Sequence, residues 1–339
     1  MAVAVIGAGG WGQNLVRNLS ASKDASLRWV CDLSSRARAD ASAAYPEARC
    51  SESYRGALDD AAVEAVVVAT EAASHHPIAR DALLAGKDVF VEKPLALSSA
   101  HARDLCELAE RDRRILMVGH VLLYHPAVAA LRQLIDAGDL GDVMYLYAQR
   151  LNLGVVRRDE NAWWSLAPHD VALANHLLGD IPEAVSLTGA TFLQKRSEVQ
   201  DVAFGTLRYP GGRVAHIHVS WLDPHKTRRL TLVGSSKMAV FDDASADQKL
   251  VLFDRGVEPP GSASYEQGLR IRTGEIRIPA LRMQEPLRLE CAAFLQSVRS
   301  RRQPLADGRS GLAVVRALEA GAGSLKAGGT FVPLAEGPG

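Results

Sequence analysis

Ala2-Val3-Ala4-Val5-Ile6-Gly7-Ala8-Gly9-Gly10-Trp11-Gly12-Gln13-Asn14-Leu15 decides the fold. Ala2–Ile6 is a short apolar run rich in β-branched residues, the composition of a strand buried on both faces. Gly7 to Gly12 then fits G-x-G-x-x-G, and Gly12–Ser20 continues as a helix. In that context Gly7 permits the tight turn, Gly9 lets the backbone approach a pyrophosphate, and Gly12 lets helix and strand pack closely. The helix N-terminus offers N–H groups to the anion, so Gly10 and Trp11 are expected in the same cradle. Asp32 follows the next strand, Leu27–Cys31. A carboxylate there accepts hydrogen bonds from a ribose 2′-hydroxyl and repels a 2′-phosphate. NAD is therefore the expected cofactor, with NADP the alternative because Arg36 and Arg38 follow closely.

Outward from this loop, Ala65–Ala69, Asp88–Val91 and Ile115–Val118 read as further short strands. Helical stretches Ser34–Tyr45, His76–Leu84 and Ser99–Arg111 alternate with them, the last behind Ser98 as N-cap. The alternation predicts an α/β, doubly wound parallel sheet, a Rossmann dinucleotide-binding domain over residues 1–120. After the helix Ala127–Asp136 the texture changes to longer alternating runs: Val143–Leu151, Ala184–Phe192, Val202–Tyr209, Val214–Trp221, Arg228–Val233 and Met238–Phe241. Val214, His216, His218 and Ser220 share one face of their strand, and Ala215, Ile217, Val219 and Trp221 the other. Residues 121–339 thus read as an α+β domain with a large, mainly antiparallel, open-faced sheet for substrate binding and oligomerisation. Helices are expected at Val171–Leu178 and Pro286–Ser300, with a Pro/Gly/Ser loop at Glu258–Ser264.

The length of 339 residues suits two domains. Lys and Arg total 39 and so do Asp and Glu, which gives no basic excess for nucleic acid and none for a membrane surface. Four scattered cysteines form neither a zinc ribbon nor a disulfide framework. With no basic and apolar leader, they fit a reducing cytoplasm. No metal site is expected: His216-x-His218 lacks clustered acids or cysteines and reads as two sheet-face residues. The basic patch Arg299–Arg302 suits a helix C-terminus.

Glu92-Lys93-Pro94 follows the strand Asp88–Val91, where parallel sheets face their ligands. A lysine there can exchange a proton with a substrate hydroxyl. Together with Gly7–Gly12, Thr70 and His75, Ala85-Gly86-Lys87, Val118-Gly119-His120, Tyr124, Pro126, Gly138–Gly141, His169-Asp170 and Pro304–Gly311, this triplet resembles the Gfo/Idh/MocA family of NAD(P)-dependent oxidoreductases. The resemblance covers nearly the whole chain. It implies that Lys93 and His169 sit beside the nicotinamide, near the reacting carbon of a sugar or cyclitol, and adds Thr70, His75 and Glu92 to the cofactor residues. Many members carry Asp four residues before the histidine; here that position is Ser165, which shifts proton transfer toward Lys93.

Arg150–Gly154, Arg157-Arg158 and Asn161–Asp170 further resemble the branch that oxidises UDP-N-acetylglucosaminuronate at C3. Arg150, Asn152, Arg157, Arg158, Asn161, Trp164, Ser165 and Asp170 are then the expected substrate residues, since guanidinium forks pair with carboxylate or phosphate and the indole of Trp163 or Trp164 can stack on a sugar face. The expected activity is hydride transfer between a sugar, in nucleotide-linked form, and nicotinamide by a homodimer or homotetramer. Two alternatives stay open: an NADPH-dependent keto-sugar or imine reductase, and a non-catalytic NAD(P)-sensing protein.

Overall fold

The computed structural model describes residues 1–154, 156–157, 160–194, 199–258 and 270–334. Arg158 and the Pro/Gly/Ser stretch after Glu258 lie outside them. The chain forms two compact units, Met1–Tyr124 with Gln284–Arg316, and His125–Met283 with Ala317–Gly339. The first division falls close to the boundary read at residue 120, and the segment Gln284–Arg316 returns to the first unit.

The first stretch runs β1 (Ala2–Ile6), α1 (Gly12–Ser20), β2 (Ser26–Cys31), α2 (Ser35–Ala44), β3 (Arg49–Ser51), α3 (Arg55–Asp59), β4 (Ala65–Val68), α4 (Ala72–Leu84), β5 (Asp88–Glu92), α5 (Ser99–Arg111) and β6 (Leu116–Gly119). The second runs α6 (Pro126–Asp136), β7 (Val143–Leu151), α7 (Ala162–Leu178), β8 (Ala184–Ala190), β9 (Val202–Arg208), β10 (Val214–Ser220), β11 (Thr227–Gly234), β12 (Met238–Asp242), β13 (Leu250–Glu258) and β14 (Arg270–Arg277). α8 (Pro286–Ser300), α9 (Gly308–Lys326) and β15 (Val332–Pro333) follow.

In the first unit six parallel strands lie in the order β3-β2-β1-β4-β5-β6. The order reverses between β1 and β4, and ligands of such sheets bind outside the strand ends at that point. β4 and β5 are buried throughout, as expected for strands covered on both faces. α8 lays Leu287, Cys291, Phe294, Leu295 and Val298 on a core that includes Val3, Val5, Leu15, Phe90 and Met117.

In the second unit nine strands lie in the order β14-β13-β12-β11-β7-β10-β9-β8-β15. β7 and β10 are parallel and the other ladders antiparallel. Ala203, Leu207, Ala215, Ile217 and Val219 are buried, whereas Tyr147, Phe204 and His216 on the alternate positions are exposed. α7 covers the buried face. Its Trp163 is held by two glycines: a Cβ at Gly205 would come 2.8 Å from the indole ring, and one at Gly321 would come 2.6 Å from Nε1. That nitrogen donates to the Leu318 carbonyl at 3.2 Å.

Two expectations need adjusting. α7 starts at Ala162 rather than Val171, with Pro168 inside it. β3, α3, β13, β14, α9 and β15 were not anticipated. No described helix is long and apolar enough to cross a membrane.

Candidate active site

The glycine loop divides its labour by position. Gly7 has φ +95°, and a Cβ there would meet the Ala69 carbonyl oxygen at 2.5 Å. A Cβ at Gly12 would overlap the Gly7 carbonyl oxygen, yet at Gly9 or Gly10 it would meet nothing within 4 Å. Two glycines therefore tighten the strand-to-helix turn, and two leave open space over the backbone. That is the cradle a pyrophosphate requires. Asp32 closes the loop from β2: its Oδ2 accepts from Ala8 N at 2.7 Å and its Oδ1 from Ser34 N at 2.7 Å. Each carboxylate oxygen keeps a lone pair for a ribose hydroxyl. Arg38 is turned onto the Asp32 and Leu33 carbonyls, and Arg36 lies exposed beside Asp40.

Beyond β4, the buried His75 directs Nδ1 at the Pro94 carbonyl, 2.8 Å away, and Nε2 at the Thr70 carbonyl, 3.1 Å away. His75 thus ties the Thr70 segment to the lysine turn through its backbone. Burial pushes its imidazole below the usual range.

The lysine turn begins at the last residue of β5. Glu92 Oε1 accepts from Trp11 Nε1 at 2.6 Å and Oε2 accepts from Lys93 N at 3.2 Å. The carboxylate lies on Gly119 of β6, where a Cβ would come 2.7 Å from Oε2. Glu92 therefore fastens the glycine loop to the turn that carries Lys93, and the Lys93–Pro94 bond is cis. Burial pushes Glu92 up to about 6 against the Trp11 hydrogen bond and the Lys93 charge, both of which favour its ionised form. His120, just after β6, is buried; burial and the Lys93 charge push it down to about 3, so it is neutral near pH 7. The sequence reading gave His120 no role of its own. Its position at a strand end beside β5 is the signal that marks it.

In the second unit, Asn161 caps α7 by accepting from Trp164 N at 3.1 Å, and its Nδ2 donates to Gln200 Oε1 at 2.9 Å. Ser165 and His169 follow one turn apart on one helix face, Ser165 buried and His169 half-buried. Trp164 is half-buried as well. Arg150 of β7 and Asp170 of α7 are both buried and paired bidentately, Nε to Oδ2 at 2.7 Å and Nη2 to Oδ1 at 2.9 Å. The two charges are thus engaged with each other, and the Asn161 side chain with Trp164 N and Gln200. Arg157 is exposed beside Glu160 Oε1 at 3.0 Å. Asn152 packs its amide against Gly154. On the open face His216 meets Thr206 Oγ1 at 3.1 Å and His218 stacks on Phe204. No group of three His, Cys, Asp or Glu among the described residues is arranged to hold a metal ion.

Against known proteins, residues 1–120 match the family model described as "Oxidoreductase family, NAD-binding Rossmann fold", and residues 128–240 match "GFO/IDH/MocA C-terminal domain". Inositol 2-dehydrogenase 2 of Saccharopolyspora erythraea is 30% identical over 224 residues, 65% of this chain and 66% of that one. The structure of UDP-N-acetylglucosamine 3-dehydrogenase GnnA from Acidithiobacillus ferrooxidans superposes with TM-score 0.81 at 27% identity, covering 96% of this chain and 98% of that one. GenD2 from gentamicin A biosynthesis, solved in complex with NAD, gives TM-score 0.83 at 25% identity, covering 99% and 97%.

Proposed function

Because this chain belongs to the Gfo/Idh/MocA family of NAD-dependent oxidoreductases, we propose that it oxidises a secondary alcohol of a nucleotide-linked sugar, with Lys93 taking the hydroxyl proton. The observation that carries this reading is the Glu92-Lys93-Pro94 turn at the carboxyl end of β5, fastened to the glycine loop through Trp11. NAD, when bound, accepts the hydride. Gly7, Gly9, Gly10, Trp11 and Gly12 hold its pyrophosphate, Asp32 its ribose, and Thr70, His75 and Glu92 keep the surrounding backbone in place.

Lys93, in its neutral amine form, takes the O–H proton and becomes an ammonium as the hydride leaves the same carbon, so alcohol becomes ketone without charge accumulating on it. His169 is the second polar group on that hydroxyl. Ser165 cannot hold an imidazole as a carboxylate would, which leaves the proton to the lysine. Asn152, Arg157 and Trp164 serve the sugar and its anionic group. Arg150, Asp170 and Asn161 fix the helix that carries His169. The exposed residues Tyr145, Tyr147 and Phe204 of the second sheet suit pairing with another copy of this chain.

The nucleotide-sugar reading leans on the likeness to the UDP-N-acetylglucosamine 3-dehydrogenase. The likeness to an inositol dehydrogenase supports a free cyclitol as the second reading. Mixing the pure protein and NAD with UDP-N-acetylglucosamine, its uronate and myo-inositol, and following NADH absorbance, separates them. A UDP-sugar is expected to exceed the cyclitol by about tenfold or more in kcat/KM. Turnover of inositol alone would assign the cyclitol. Reduction of a keto sugar by NADPH with no NAD-linked oxidation would overturn the reading.

A further inference from the structure

α8 buries one face, and Glu290 belongs to it, three residues after Leu287 and four before Phe294. Its relative exposure is 0%, and neither carboxylate oxygen has a hydrogen-bond partner among the described residues. Among the described residues, the charge that acts on it is that of a second carboxylate, Glu92. Among the described residues, the titratable groups Tyr124 and Cys291 also feel its charge; burial pushes both upward, so both are neutral at pH 7. Lys93 faces Glu92, while Trp11 and the Lys93 amide occupy its oxygens.

Two carboxylates in one dry site do not both ionise at neutral pH. The donors around them decide which one keeps the proton. Glu92 accepts two N–H groups, which stabilise an anion; no described donor does this for Glu290. We propose that Glu290 is a positioning residue that retains a proton at neutral pH and so leaves Glu92 as the single carboxylate charge beside Lys93. Burial and the Glu92 charge both act in that direction, raising Glu290 well above the usual carboxylate range. With Glu92 ionised, the Trp11 hydrogen bond holds the glycine loop to the lysine turn. Protonation of Glu92 weakens that bond.

The kinetic consequence rests on the reading of Lys93 as the proton acceptor, whereas the state of Glu290 does not, so two measurements separate them. Infrared difference spectra of the full-length protein without substrate are expected to contain, at pH 7, the carbonyl stretch of a protonated carboxyl group. That band disappears in Glu290→Gln and persists in Glu92→Gln. In the second arm, the acid midpoint of kcat/KM, expected about 6 in the wild type, moves up by about one unit in Glu290→Met, which removes the polar head facing Glu92. Glu290→Gln, neutral and of the same shape, restores the midpoint. A pH 7 spectrum lacking the band, or a band that survives Glu290→Gln, overturns the proposal. So do identical profiles for Glu290→Met and Glu290→Gln, which would reduce Glu290 to filling space. If Lys93 proves unnecessary for turnover, the function reading fails while the infrared result still decides the state of Glu290.

Discussion

Each unit buries a pair of ionisable side chains, and the two pairs differ in kind. In the second unit Arg150 and Asp170 form a two-pronged ion pair in which each carboxylate oxygen accepts a guanidinium N–H. In the first unit Glu92 and Glu290 are two carboxyl groups sharing a site, and one of them has no donor among the described residues. A satisfied pair fixes geometry: it locks β7 to the helix that carries Ser165 and His169. An unsatisfied acid next to a second acid is nothing that stability alone would select, because an apolar residue of similar volume would suit the core better. Its place behind Glu92, the residue between the glycine loop and Lys93, gives a reason to keep it.

The largest effect should come from breaking the satisfied pair. Asp170→Ala leaves a buried guanidinium unpaired and is expected to cost about 3–5 kcal/mol of stability in denaturant unfolding. Replacing both partners by apolar residues should recover most of that loss. A single substitution costing well under 1 kcal/mol would remove the contrast between the pairs.

The unsatisfied pair should reveal itself more gently, through pH. A carboxyl raised in the folded state binds a proton there that the unfolded chain has already released, so its contribution to stability falls as pH rises through the gap. For Glu92 that window runs from its ordinary 4.5 to about 6, and for Glu290 it starts at the same 4.5 and extends further. His120 acts oppositely: depressed from 6.5 to about 3, it loses stability as pH falls through that interval. Glu290→Gln removes one titrating group and keeps His120. Its Tm should therefore gain on the wild type as pH rises above 4.5 and converge with it below. A gap constant across pH would mean that Glu290 titrates alike in both states.

Much of the first unit was legible because its signals are backbone requirements. The glycine spacing and the short β-branched runs admit few readings, and β1, α1 and α5 fall where the residues put them. β3, three residues long at the sheet edge, is too short for any periodicity. The start of α7 was hidden by Pro168, which reads as a helix breaker, while Asn161 carried the cap that marks the true start. Arg150 looked like a sugar ligand, yet it alternates with the buried Leu146 and Ala148 along β7, which assigns it to the inward face. β13 and β14 carry charges on many positions and lack a clear apolar face. Glu290 drew no reading of its own within the expected helix Pro286–Ser300, although its spacing from Leu287 and Phe294 sets it on the apolar stripe.

The central claim is that the amine of Lys93 moves the proton during hydride transfer. Lys93→Met, assayed with NAD and the best sugar from the substrate panel, with NADH affinity measured alongside, tests it most directly. The expected result is a loss of about 10²–10⁴-fold in turnover with NADH affinity within about threefold of the wild type, because binding and proton transfer use different residues. Turnover equal to the wild type in that variant would contradict the claim.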